Sequence, residues 1–170
     1  MRLSGILLLL TAGSAMGFYK AYELKRRMQE IIMLQNAFRF LETEIYHTRS
    51  PVPLALETVA CGQPKAICSF FYKVCYAMET ECIPLYQAWE TALEQLKASS
   101  CLREDELNAV CSFGCSLGVG DAAEQLKYFQ LLQHRLQHAL EQAENNYTQK
   151  ARIWQYMGIC ISMATVLLLY

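Results

Sequence analysis

The sequence predicts an all-α protein: an antiparallel bundle of about six helices, whose long first and last helices are continuous with membrane-spanning ends. Three observations predict it. Apolar residues recur in steps of three and four along most of the chain, and no alternating strand pattern of useful length occurs. No Gly or Pro interrupts residues 20–49, and Gly158 is the only one between 122 and 170.

The chain opens on an uncharged apolar run over 3–19, LSGILLLLTAGSAMGFY, and closes on another over 153–170, IWQYMGICISMATVLLLY. As helices they span about 25 and 27 Å, slightly short of a hydrocarbon core of roughly 30 Å. Arg2, Lys20 and Arg152 can snorkel at their ends, and Phe18, Tyr19, Trp154 and Tyr156 suit the headgroup belt. Both read as transmembrane helices. Arg2, the apolar run and Ala12, Gly13, Ser14 and Ala15 also resemble a secretory signal. Against cleavage, the n-region is a single Arg, the apolar run continues through Tyr19, and Lys20, Lys25, Arg26 and Arg27 follow. Those four cations and Lys150 and Arg152 lie on the inner flanks of the two spans. The positive-inside rule therefore puts residues 20–152 in the cytoplasm and both termini across the membrane.

After the first span, Leu24, Met28, Ile31, Ile32, Phe38, Leu41 and Ile45 form a helical stripe, with Glu23, Arg27, Glu30, Gln35, Arg39 and Glu42 in the gaps. The span and this helix are expected to form one rod that ends at Ser50-Pro51. A short helix over 53–60 is closed by Cys61-Gly62-Gln63-Pro64. Ile67, Phe70, Phe71, Val74, Cys75 and Met78 mark a helix over 65–79. Pro84 opens the next, which runs to about Ala98 through Leu85, Ala88, Trp89, Ala92 and Leu96. Ser99-Ser100 offers the following N-cap region, with Glu104, Asp105 and Glu106 favouring the helix start. Leu107, Val110, Cys111, Phe113, Gly114 and Leu117 line that helix until Gly118-Val119-Gly120 stops it. Asp121 caps the last helix, whose stripe is Leu126, Phe129, Leu132, Leu136, Leu140, Ala143 and Tyr147.

Composition narrows the function. Lys+Arg 15 against Asp+Glu 16 leaves a net charge of −1, without the basic stripe of a nucleic-acid binder. Hydrophobic residues at 54% and a mean hydropathy of +0.12 exclude a disordered chain. Phosphate-binding Gly-rich loops, G-x-S-x-G and H-E-x-x-H are all missing from the sequence. Glu42 and Glu44, two residues apart on a helix, face different directions and cannot work as an acid/base pair. Neither a catalytic site nor a cofactor is expected.

The cysteines (8 in all) invite another reading, a small membrane redox or metal-binding protein. Cys61, Cys68, Cys75 and Cys82 recur every seven residues, about 10.5 Å apart along a helix and beyond disulfide reach. A cytoplasmic domain is kept reduced, there is no C-x-x-C, and free Cys behaves as a small buried hydrophobe. Cys111 and Cys115 with His134 and His138 imitate a zinc set. A chain reversal at Gly118–Gly120 leaves those His about 10 Å too far along the partner helix. An exported, disulfide-bonded domain with a cleaved N-terminus is the third class.

Several short motifs, in order over the whole chain, carry a family likeness: Leu41-Glu42-Thr43-Glu44-Ile45; Thr48 with Pro53, Leu54 and Leu56; Ala88-Trp89-Glu90; and Phe113-Gly114-x-x-Leu117-Gly118-x-x-Asp121-x-x-x-Gln125-x-Lys127. In these, and in its two terminal spans, the chain resembles the stage III sporulation protein AB family of endospore-forming bacteria. The cysteines carry none of the match. The resemblance implies a cytoplasmic bundle similar to the F-type platform domain of type II secretion systems. It also implies a non-enzymatic platform role in the IIIA complex that joins mother cell and forespore, with the other IIIA proteins and the AA ATPase as partners. A chain with one such domain and two spans is expected to form a homo-oligomer. The interface is expected at the last turn and its flanks (Leu117, Gly118, Asp121, Gln125 and Lys127), then at Glu42 and Glu44. Gly118 and Asp121 also fit a purely turn-shaping role.

Overall fold

The computed structural model describes residues 2–62, 65–117 and 122–169, with side chains over 19–62, 67–117 and 124–149. Among these residues the chain forms six helices and no strand: α1 (Arg2–Tyr46), α2 (Val52–Cys61), α3 (Lys65–Thr80), α4 (Leu85–Ser99), α5 (Glu104–Ser116) and α6 (Ala122–Leu169). The short helices begin and end close to the Pro and Gly signals. Pro51 and Pro84, with φ near −60°, stand immediately before α2 and α4, where a missing N–H costs nothing. The Gly118–Gly120 stop and the Asp121 cap lie outside the described residues.

Two boundaries differ from expectation. α1 stops at Tyr46 rather than at Ser50-Pro51. Arg49 takes the left-handed conformation (φ 54°), and the Ser50 N–H donates back to the Glu44 carbonyl at 3.1 Å, so the chain turns before the proline acts. The N-cap of α5 is Arg103, not Ser99-Ser100. Ser99 still belongs to α4 and donates its hydroxyl to the Gln95 carbonyl at 3.0 Å. The Glu106 carboxylate instead reaches back to accept from the Arg103 N–H, half of a capping box.

The chain divides into two compact units, residues 1–28 with 141–170 and residues 29–140. In the first, Lys20 and Glu23 make an exposed ion pair at 2.7 Å, Ala21, Arg27 and Ala143 are buried, and Tyr19 and Tyr22 are exposed. Among the described residues no helix is long and apolar enough to cross a membrane. The expected spans over 3–19 and 153–170 lie, Tyr19 apart, outside the residues described with side chains.

The second unit holds a core drawn from all six helices. Leu34, Phe38 and Leu41 of α1 meet Leu56 and Val59 of α2, Phe70, Phe71 and Val74 of α3, Trp89 and Leu96 of α4, Val110 and Phe113 of α5, and Phe129, Leu132 and Leu136 of α6. Each large side chain fully buried contributes about 1.5–3 kcal/mol. The α1 stripe is wider than the periodicity indicates. Arg27, Glu30 and Gln35, placed among the gap residues, are each no more than 7% exposed, whereas Ile32 is only half-buried and Phe40 is exposed.

In the second unit the buried Glu30 and Gln35 side chains are hydrogen-bonded, whereas among the described residues Gln133 Oε1 and Ser100 Oγ are buried without a partner. The Glu30 carboxylate accepts from the Cys101 N–H at 2.7 Å, tying α1 to the α4–α5 connection. Gln35 donates to the Gln137 side chain at 3.2 Å, and Gln133 donates to the Gln35 carbonyl at 3.2 Å, joining α1 to α6. Buried polar groups need partners, and Glu30 and Gln35 find theirs in segments distant in sequence, the α4–α5 connection and α6.

Candidate interaction surface

The structure brings two separate sequence motifs into contact. Trp89, of Ala88-Trp89-Glu90, is buried against Gly114, of Phe113-Gly114, and its indole N–H donates to the Val110 carbonyl at 3.0 Å. Around it stand Phe70 (ring centroids 5.0 Å) and Phe71 (6.2 Å), edge to face, and Phe113 (6.0 Å) and Phe38 (6.2 Å), tilted. These two motifs therefore build the core. Phe113 carries the cluster on to Phe129 (4.6 Å), and Phe129 reaches Tyr46 (6.0 Å). The C-terminal ends of α1 and α5 thus lie beside the start of α6.

This arrangement gathers most of the expected interface residues at one end of the bundle. Glu42 and Glu44 lie in the last turns of α1, half-buried. Glu44 accepts from the Ser50 hydroxyl at 3.2 Å. Burial, then the Glu42 carboxylate, pushes the Tyr46 phenol up. Gln125 is half-buried and Lys127 exposed in the first turns of α6, and no acid lies within ion-pair distance of Lys127 among the described residues. Leu117 is different: at 5% exposure it is a core residue, held by its N–H to the Phe113 carbonyl at 3.0 Å. Gly118 and Asp121 lie outside the described residues. The charged chemistry at this end is thus two half-buried α1 acids and an exposed α6 cation.

The four cysteines of the seven-residue series are divided among three elements. Cys61 ends α2, Cys68 and Cys75 lie on α3, and Cys82 sits in the α3–α4 connection with φ 54°. Only Cys75 of those described is buried, while Cys61, Cys82 and Cys115 are exposed, so the small-hydrophobe expectation fits Cys75 alone. The reason is that a heptad on paper crosses three elements in space. All those described are free thiols. Burial, with the Glu79 and Glu57 charges behind it, pushes the Cys75 thiol up to about 11, away from the thiolate that redox or metal chemistry needs. Among the described residues no three His, Cys, Asp or Glu side chains gather to hold a metal ion, and His134 and His138 are exposed on α6.

Sequence reasoning missed the buried Glu30 and Gln35, the half-buried Gln133 that bonds to Gln35, and the structural role of Gly114. A signal existed for the last: a glycine inside an otherwise regular helical stripe marks a close approach.

The fold defines a class, an all-helical protein of six helices, the first and last of them long, with an aromatic-centred core in its second unit. The family model for stage III sporulation protein AB matches residues 2–170, and the chain belongs to that family; its role lies in sporulation. Stage III sporulation protein AB of Bacillus subtilis (strain 168) is 23% identical over 169 residues, covering 99% of each chain. A solved structure of a stage III sporulation protein AB superposes with a TM-score of 0.67 at 24% identity, over 72% of this chain and 96% of that one, and shares the fold.

Proposed function

We propose that the protein is a non-enzymatic platform subunit of the sporulation IIIA complex, anchored in the mother-cell membrane. Its helices over 3–19 and 153–170 cross that membrane, both termini lie on the far side, and residues 20–152 face the cytoplasm. The observation that carries this reading is a match along the whole chain, 2–170, to a sporulation family. Continuity of the backbone supports it: α1 is helical from Arg2 to Tyr46 and α6 from Ala122 to Leu169, so each uncharged end runs directly into a bundle helix. The exposed Lys127 and the half-buried Glu42 and Glu44 at the α1–α6 end give partners a surface to meet, and the chain oligomerises to complete the platform.

Full-length protein in detergent, offered to the AA ATPase and the other IIIA proteins of the same organism, tests the reading. Saturable binding to any of them is expected, as is resistance of the chain to carbonate extraction from membranes. Extraction as a soluble protein, or no binding to any IIIA protein, overturns it.

A further inference from the structure

We infer that the groove between α4 and α5 is a docking site for a cationic amphipathic helix of a partner protein. The groove is an open trough of about 350 Å³ lined by Glu90, Leu93, Glu94 and Lys97 of α4 and by Glu104, Leu107, Asn108 and Cys111 of α5. Both walls use the same spacing (i, i+3, i+4, i+7), so each presents one helical face over about 10 Å of length. That length and form suit two turns of a third helix.

The charges choose the occupant. At the connection end Lys97 neutralises Glu104 at 3.0 Å. Towards the open end Glu90 and Glu94, one turn apart and both exposed, have no cation within ion-pair distance among the described residues. Two unpaired carboxylates one turn apart repel each other mildly and favour a partner that brings Lys or Arg. Their field is felt across the groove: the Cys111 thiol is pushed up by burial first, then by Cys115 and Glu90. Between the carboxylates and the opposite wall, Leu93 and Leu107 form an apolar floor that can take the non-polar side of such a helix. An acidic or neutral segment would leave both carboxylates uncompensated.

The inference deepens the platform reading by giving the chemistry of a partner, and its test stands apart from that reading. Full-length protein in detergent, carrying Asn108→benzoylphenylalanine, is irradiated with a fluorescent alanine-based helical peptide bearing lysines along one edge and two leucines one turn apart. Saturable cross-linking is expected. It falls about tenfold in Glu90→Gln/Glu94→Gln, the loss of two exposed ion pairs, and stays unchanged in Glu79→Gln on α3. All three changes are at exposed positions, so circular dichroism stays at the unsubstituted value. Glu94→Lys alone gives a second, independent loss. Equal labelling in the double variant, equal labelling by a glutamate version of the peptide, or predominant cross-linking to a second copy of the chain overturns the inference. Failure of IIIA capture with peptide labelling intact overturns the platform reading and leaves the groove standing.

Discussion

Gly114 lies face to face with Trp89: a Cβ placed on Gly114 would come within 2.2 Å of the indole Cδ1, 2.3 Å of Nε1 and 2.4 Å of Cγ. No side chain fits there unless the indole moves. The indole is 1% exposed and hydrogen-bonded to Val110, so it has nowhere to go. Glycine is the residue that lets α5 approach α4 this closely.

Gly114→Ala should therefore destabilise the protein, although Ala is the better helix former by about 1 kcal/mol. Overpacking costs roughly 1–3 kcal/mol and wins, lowering the melting temperature by about 5 °C. Trp89→Phe removes the clash together with the Val110 hydrogen bond. In a double-mutant cycle by thermal melts, the two changes should cost less together than the sum of each alone. Strict additivity would mean that the two residues do not oppose each other.

Glu30→Ala should cost more than an average surface change. It removes the acceptor of the Cys101 N–H, and a donor left without its partner costs about 1–3 kcal/mol. Glu30→Gln keeps an acceptor oxygen and should recover part of the loss. Urea unfolding of the three proteins orders them wild type, Gln, Ala; Gln falling with Ala would assign the effect to charge instead of the hydrogen bond.

Lys127→Glu should leave the fold intact, within about 0.5 kcal/mol, because Lys127 is exposed and makes no ion pair among the described residues. Binding to IIIA partners should weaken. Charge reversal at Glu44 should do the same, with a small extra loss from its Ser50 hydrogen bond. Circular dichroism beside a quantitative pull-down checks both. Lost helicity would make these residues part of the scaffold.

Cys75 should impose an alkaline limit on stability. Its folded pKa, about 11, lies above the ordinary thiol value of 9.0, so the folded state holds this proton more tightly than the unfolded one. The contribution is full below pH 9 and is lost as pH rises towards 11. Melting temperatures across that window should fall faster for wild type than for Cys75→Ala. In alkylation at neutral pH, Cys61, Cys82 and Cys115 should react well before Cys75.

Local physics made much of the fold legible in the sequence. Apolar spacing and the Pro and Gly positions gave the all-α class, the helix order and borders within a few residues, because these signals act over one or two turns. The residues that carry the family likeness were legible in the same way. The tertiary structure alone decided what they do. Ala88-Trp89-Glu90 and Phe113-Gly114 lie over twenty positions apart, and only packing α4 on α5 makes a glycine necessary against the indole. Leu117 looks like an interface residue in its motif and is core in space. Glu30 and Gln35 are polar in composition and internal in fact, because their partners arrive from segments distant in sequence, Cys101 in the α4–α5 connection and Gln133 and Gln137 on α6. The α4–α5 groove, too, is written as two ordinary amphipathic stripes until antiparallel packing sets them side by side. Periodicity fixes which face of a helix is apolar; what faces it depends on contacts that no local pattern encodes.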